Sequence, residues 1–342
     1  MSLHELDIIR KMVALKRKAP FQLNSAFETD TELIRVKGMN ISVTIDTITE
    51  ELNGLVKNPY TMGWLCVLSS LSDIAASGVT PLGILLACNL SYDMGDDFIG
   101  SLFLGAEQCA ACHNTYILGG DTNQSSELSL TSMCIGLLED DKFSRRSGFK
   151  AGDKIYTTGA VGGGNLLAYM NFSNDSEAER FEESFRPKAS FELGKVIAYH
   201  GSACIDSSDG LIHSLFALYE QGSCGLKINL DRIPYCKDIG RISNDANIPP
   251  LLFALGEVGD YELIFTSREE ELGEIFNSAQ EAGSSLTCIG EVVEERGFYV
   301  VNGGYVRQLD IDEIRNLLSV NSHGEYLKSL LAATNNILGG AV

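Results

Sequence analysis

Asp206-Ser207-Ser208-Asp209-Gly210-Leu211 places two aspartates three positions apart in a run of small residues. The apolar pair Cys204-Ile205 leads into it, and Leu211 to Gln221, which reads as a helix, leads out. Upstream the same kind of frame recurs. It appears as Gly119-Gly120-Asp121-Thr122, as Ser72-Asp73-Ile74-Ala75-Ala76, as Thr44-Ile45-Asp46-Thr47, and around Asp30 in Glu28-Thr29-Asp30-Thr31-Glu32. Aspartate fills apolar segments badly, because a carboxylate taken out of water costs several kcal/mol unless something pairs with it. Carboxylates brought together also repel, and a divalent cation is the usual remedy. Mg²⁺ takes oxygen ligands, keeps some waters and is shared with substrate phosphates. The frames therefore predict a Mg²⁺–nucleotide site assembled from distant parts of the chain.

The 342 residues exceed what one core normally organises, so two domains are expected, divided at the polar, Gly-rich stretch 144–153 into residues 1–143 and 144–342. A hydrophobic content of 44% suffices for packed cores. The net charge of −20 repels phosphodiester backbones and anionic lipid, so neither nucleic acid nor a membrane is an expected partner. Small phosphorylated ligands stay possible, because bound Mg²⁺ inverts the local field. No apolar leader opens the sequence and no run is long enough to span a bilayer, so a cytoplasmic location is expected. The nine cysteines are scattered and read as free thiols. Cys109-Ala110-Ala111-Cys112-His113 matches the c-type haem attachment pattern, but it lies in a helical stretch and reads as packed small residues.

Periodicity predicts a helix over 62–78 containing Asp73, a second over 97–114, strands over 82–90, 116–118, 128–137 and 154–158, and one charged helical stretch over 177–200. The glycine run 159–164 follows a strand and precedes a helix. It suits either phosphate contact by backbone N–H groups or a tight turn. Asp121 after two glycines is readable as a turn residue, and Asp206 to Asp209 as an N-cap box.

In this order and spacing, together with Arg146-Ser147-Gly148, Arg186-Pro187 and Gly259-Asp260-Tyr261-Glu262-Leu263, the frames resemble thiamine-monophosphate kinase. That family belongs with aminoimidazole ribonucleotide (AIR) synthetase, selenophosphate synthetase and a hydrogenase maturation protein. The resemblance covers roughly residues 25–300. It implies an α+β (α/β), two-domain PurM-like (AIR synthetase-like) fold, with an N-terminal domain forming a barrel in a homodimer and a C-terminal α/β sandwich. It implies ATP as co-substrate, Mg²⁺ as cofactor and thiamine monophosphate as acceptor. Carried over residue by residue, Asp30, Asp46, Thr47, Asp73, Asp121, Asp206 and Asp209 would hold metal. Gly120, Asp121, Thr122, Arg146 and Ser208 would contact nucleotide. Asp209, Ser208 and Arg146 would serve catalysis, and Asp260, Tyr261 and Glu257 the acceptor.

The chain also departs from the family pattern. Thr29 stands where a second aspartate is usual, Leu65 replaces a helix lysine, and Gln124 replaces an arginine. Two other readings stay open beside the kinase. One is a related ATP-dependent reaction that activates a carbonyl-type oxygen; the other is a non-catalytic nucleotide-binding relative.

Overall fold

The structure is a computed structural model that describes residues 5–49, 55–318 and 323–339. Two sheets organise it. The first contains β1 (Glu32–Val36), β2 (Met39–Thr49), β3 (Thr80–Ser91), β4 (Ile117–Ser125) and β5 (Ser129–Leu138), in the order β1-β2-β5-β3-β4. Only the β3/β4 pair in it is parallel. The second contains β6 (Lys154–Thr158), β7 (Ala203–Asp206), β8 (Gly225–Asn229), β9 (Leu263–Ser267), β10 (Leu286–Val293), β11 (Phe298–Asn302) and β12 (Tyr305–Leu309), in the order β12-β11-β8-β10-β6-β9-β7. The helices are α1 (Glu5–Leu15), α2 (Pro59–Ala76), α3 (Asp96–Cys112), α4 (Gly163–Phe172), α5 (Ala178–Ser184), α6 (Phe191–His200), α7 (Leu211–Gln221), α8 (Ile239–Ala246), α9 (Leu251–Leu255), α10 (Leu272–Glu281), α11 (Ile311–Leu318) and α12 (His323–Ile337). The fold is thus α+β.

α2 is the organising element. Asn58 caps it, its Oδ1 accepting from the Tyr60 N–H at 2.9 Å, and Pro59 occupies the first turn, where the missing N–H costs nothing. It is buried almost all round because it is enclosed by the first sheet, α3 and α6. Two glycines allow the α2–α3 approach. A Cβ on Gly63 would lie 1.9 Å from the Leu102 carbonyl oxygen, and one on Gly105 would lie 1.9 Å from that of Tyr60. On the other side a Cβ on Gly194 would lie 2.0 Å from the Ala75 carbonyl oxygen. The small pair Ala75-Ala76 therefore admits α6, joining sequence from before and after residue 144.

Several elements differ from the sequence reading. The stretch 177–200 is two helices, interrupted at Arg186-Pro187, where proline removes an N–H and disfavours helical geometry before it. The break is used. The Trp64 indole N–H donates to the Pro187 carbonyl at 2.9 Å, and the Arg186 guanidinium lies over the Tyr60 ring at 4.6 Å. The strand foreseen at 116–118 runs on to Ser125, so Asp121 is a strand residue and not a turn residue. Near the C-terminus α12 brings Leu330, Ala333 and Ile337 into the core beneath the second sheet.

Candidate active site

β2 alternates in an unusual sense. Ser42 and Thr44 point inward and are buried, while Ile45 points outward and is 67% exposed. Asp46 continues the inward row, two residues beyond Thr44. This polar stripe faces α2, where the Thr44 hydroxyl donates to Asp73 at 2.5 Å. From the second sheet, β7 ends on Asp206, whose carboxylate accepts from the Ser72 hydroxyl of α2 and, at 3.0 Å, from Ser208. One oxygen each from Asp30, Asp73 and Asp206 lie within 4.8 Å of one another. Asp46 Oδ2 is buried and has no hydrogen-bond partner among the described residues.

Burial is the main cause of the resulting pKa shifts. It pushes Asp46 up to about 6, with Asp209 and Asp30 adding repulsion. It pushes Asp206 up to about 7, with repulsion from Asp30. Asp73 rises well above the ordinary carboxylate range through burial and then through Asp46 and Asp206. Asp30 is raised too, although Arg146 opposes the shift. The Arg146 Nε donates to Asp30 at 3.0 Å. Burial works against the Arg146 charge, but Asp30 more than reverses this and lifts its pKa above the ordinary value. One guanidinium therefore sits against a set of mutually repelling, under-neutralised carboxylates. That donor set, with its orphaned Asp46 oxygen, fits a hard divalent cation bound through oxygen.

The remaining candidates are placed as follows. Asp209 is exposed at the turn after Asp206, near enough to repel Asp46 and Asp206. The turn is not an N-cap box. Gly210 precedes α7 with no side-chain cap, and a Cβ there would lie 2.2 Å from the Gly256 carbonyl oxygen. Thr47 points to the opposite side of the sheet from Asp46, with its hydroxyl 2.8 Å from that of Thr131. Asp121 lies in the same cross-strand row as Thr47, through Ala87 and Thr131, on the open face, and its carboxylate accepts from Asn123 at 2.7 Å. Thr122 and Gly120 are exposed on β4, the edge strand. The structure thus brings Asp30, Asp46, Asp73, Asp206, Asp209 and Arg146 together. It leaves Thr47 and Asp121 facing away from them.

Beside this cluster, Asp260 is committed to the fold. Its carboxylate accepts from the Gly162 and Gly164 N–H groups at 2.5 and 3.0 Å, capping α4. The glycine run is therefore a capped turn, with an internal carboxylate where an external phosphate would otherwise sit. Tyr261 has φ +61°, a rare conformation for a bulky residue, and is buried among residues of the first sheet's core. Burial raises its hydroxyl pKa, as do Asp206 and Asp46 nearby. Glu257 is exposed, and its backbone N–H donates to the Tyr326 hydroxyl at 2.9 Å. Glu262, which the motif reading passed over, is pushed up to about 7 by burial and accepts from Thr158. Its place directly after Asp260-Tyr261 was the available signal.

Thr29 is buried and offers no carboxylate. Its hydroxyl donates to the Thr31 carbonyl and accepts from Asn24 at 3.1 Å. The Cys-x-x-Cys-His segment is structural. His113 Nε2 accepts from the Ala189 N–H at 3.0 Å while Nδ1 faces the Cys109 carbonyl at 2.8 Å, which ties α3 to the segment before α6.

The architecture and carboxylate cluster define the class. Residues 28–138 match the AIR synthase related protein, N-terminal domain, family model. In fold, the chain is similar to the solved structure of AaThiL complexed with AMPPCP and TMP (TM-score 0.74, 22% identical, covering 88% of this chain and 92% of that one). It is also similar in fold to the E. coli hydrogenase maturation protein HypE (TM-score 0.67, 14% identical, covering 90% and 98%).

Within that class the chain belongs to the thiamine-monophosphate kinase family. It is 30% identical over 310 residues to the Buchnera aphidicola (Acyrthosiphon pisum) thiamine-monophosphate kinase, covering 87% of this chain and 94% of that protein. It is 32% identical over 215 residues to the Methanospirillum hungatei one, covering 62% and 70%.

Proposed function

We propose that this protein transfers the γ-phosphoryl group of ATP to the phosphate of thiamine monophosphate, giving thiamine diphosphate and ADP. The observation that carries the reading is the convergence of Asp46, Asp73 and Asp206, from β2, α2 and β7, with Asp30 of the loop before β1, in a chain of this family. An acceptor phosphate oxygen is already anionic, so no general base is needed. Catalysis rests on alignment and charge neutralisation. Asp30, Asp46, Asp73 and Asp206 would hold Mg²⁺, which supplies neutralisation of the triphosphate when bound. Arg146, now against Asp30, is the guanidinium available to a phosphate that displaces this contact. Ser208 and Asp209 stand at the rim of the cluster, where the transferring group would pass.

The polypeptide is read as two units, 1–143 and 144–342, with the site between them. A second copy is proposed to cover the open face of the first sheet. Ile45, Leu82 and Leu118 lie exposed there, beside Asp121 and Thr47, so dimer formation would also enclose those two residues. No described helix is long and apolar enough to cross a membrane; a cytoplasmic location is part of the proposal.

The test is ADP formation from Mg·ATP with and without thiamine monophosphate, with thiamine diphosphate measured directly. Acceptor-dependent ADP matched by thiamine diphosphate is expected. Retained Mg·ATP binding with no diphosphate formed would overturn the reading.

A further inference from the structure

One face of the second sheet packs against the main core of its half of the chain, and the other is half-covered. On the half-covered face, Tyr156, Phe265 and Cys204 pack under α6 and α10. Beyond Tyr156 the same face is open, and a solvent-open cavity of about 340 Å³ lies over β6, β10, β8 and the β11–β12 hairpin. That size suits a small metabolite.

Its lining is built by register. Glu291 of β10 stands directly between Lys154 of β6 and Lys227 of β8. Its two carboxylate oxygens take one ammonium each, at 2.8 and 3.3 Å. This holds both lysines over the cavity while using one acceptor contact of each; an ammonium has three donors, so each keeps N–H groups for a ligand. Arg232 lines the cavity with no hydrogen bond or ion pair among the described residues. The Asn229 amide oxygen is taken by the Asp231 N–H, which leaves its NH₂ group as a donor. Asp231 itself accepts from the Gly303 N–H. Val301 and Val306 form an apolar wall. Three cations and one carboxylate line the cavity, an excess of two positive charges in the lining itself; Asp231 beside Arg232 and Glu269, which acts on Lys154, offset it in part. In a chain of net charge −20 such a concentration is a local exception.

We infer that this cavity binds a dianionic phosphomonoester with a small apolar group, at a site separate from the aspartate cluster. Arg232 and the two lysines would hold the phosphate, Asn229 would donate to an ester or hydroxyl oxygen, and the valines would cover the apolar part.

The test is titration of the full-length protein with phenyl phosphate in metal-free, low-salt buffer near neutral pH, read by backbone amide NMR. Without Mg²⁺ the aspartate cluster repels the probe, so the two sites are distinguished. Saturable shifts at Gly290 and Gly304 are expected, weakening with salt. Arg232→Gln, an exposed and unpaired change, is expected to raise the apparent Kd about tenfold. Lys227→Glu is expected to abolish saturation, and both variants should keep wild-type turnover in the kinase assay. No saturation below about 10 mM, or equal affinity in wild type and Arg232→Gln, would overturn the inference.

Discussion

Asp206→Asn at the centre of the carboxylate cluster should stabilise the metal-free protein at alkaline pH. Asp206 is 3% exposed and its pKa is raised from 3.8 to about 7, first by burial and then by Asp30. A raised carboxylate pKa means that the folded state holds the proton more tightly than the unfolded chain. The associated stability is present below the unfolded value and is lost as pH rises through about 7. One pKa unit is worth about 1.4 kcal/mol, so ionising Asp206 costs up to about 4 kcal/mol by pH 8. Asparagine removes that charge. It also weakens the bonds from Ser72 and Ser208, for which about 1–2 kcal/mol is subtracted. The net expectation is a gain of roughly 2–3 kcal/mol for Asp206→Asn at pH 8 with chelator present. Near pH 4, where the wild-type group is protonated, only the weakened bonds remain and the variant should be level with or slightly below wild type; the gain should also reverse once Mg²⁺ saturates the wild type, because ligation stabilises only the intact site. Urea unfolding of both proteins at the two pH values, with and without Mg²⁺, measures this. A variant less stable than wild type at pH 8 without metal would refute the reading of the cluster as under-neutralised carboxylates.

Three further outcomes are expected. Asp73→Asn should reduce turnover by at least about 10³-fold, as removal of central transition-state electrostatics does, with far-UV circular dichroism unchanged; near-wild-type activity would remove Asp73 from the site. Gly194→Val should destabilise by roughly 1–3 kcal/mol or more, because its Cβ would sit 2.0 Å from the Ala75 carbonyl oxygen, and urea unfolding reads the loss. His113 has a pKa lowered from 6.5, mainly by burial, so its contribution is present above the unfolded value and lost as pH falls. His113→Ala should cost about 1–3 kcal/mol near neutral pH by orphaning the Ala189 N–H, and the gap to wild type should narrow in acid.

The sequence by itself determined a great deal. Aspartates in small-residue frames showed which carboxylates to watch, because a carboxylate in an apolar segment needs a local reason, and their fixed order carried the family resemblance that implied the fold class. It also supplied the elements whose periodicity is strong, such as β6 over 154–158 and α7 over 211–221. What it could not contain is which side of a sheet each frame faces. Asp46 and Thr47 are adjacent in sequence, yet the pleat sends one to the buried cluster and the other to the open face. Nor could spacing reveal that Asp260 would cap α4 or that Arg146 would pair with Asp30, since both depend on contacts across about a hundred residues. Ala75-Ala76 are small residues in the Asp73 frame, and only the packed structure shows that they admit Gly194 of α6. Local sequence fixes propensity and chemistry; the direction of a side chain and the identity of its partner are settled by the packing of distant elements, which alone decides where a buried charge finds compensation.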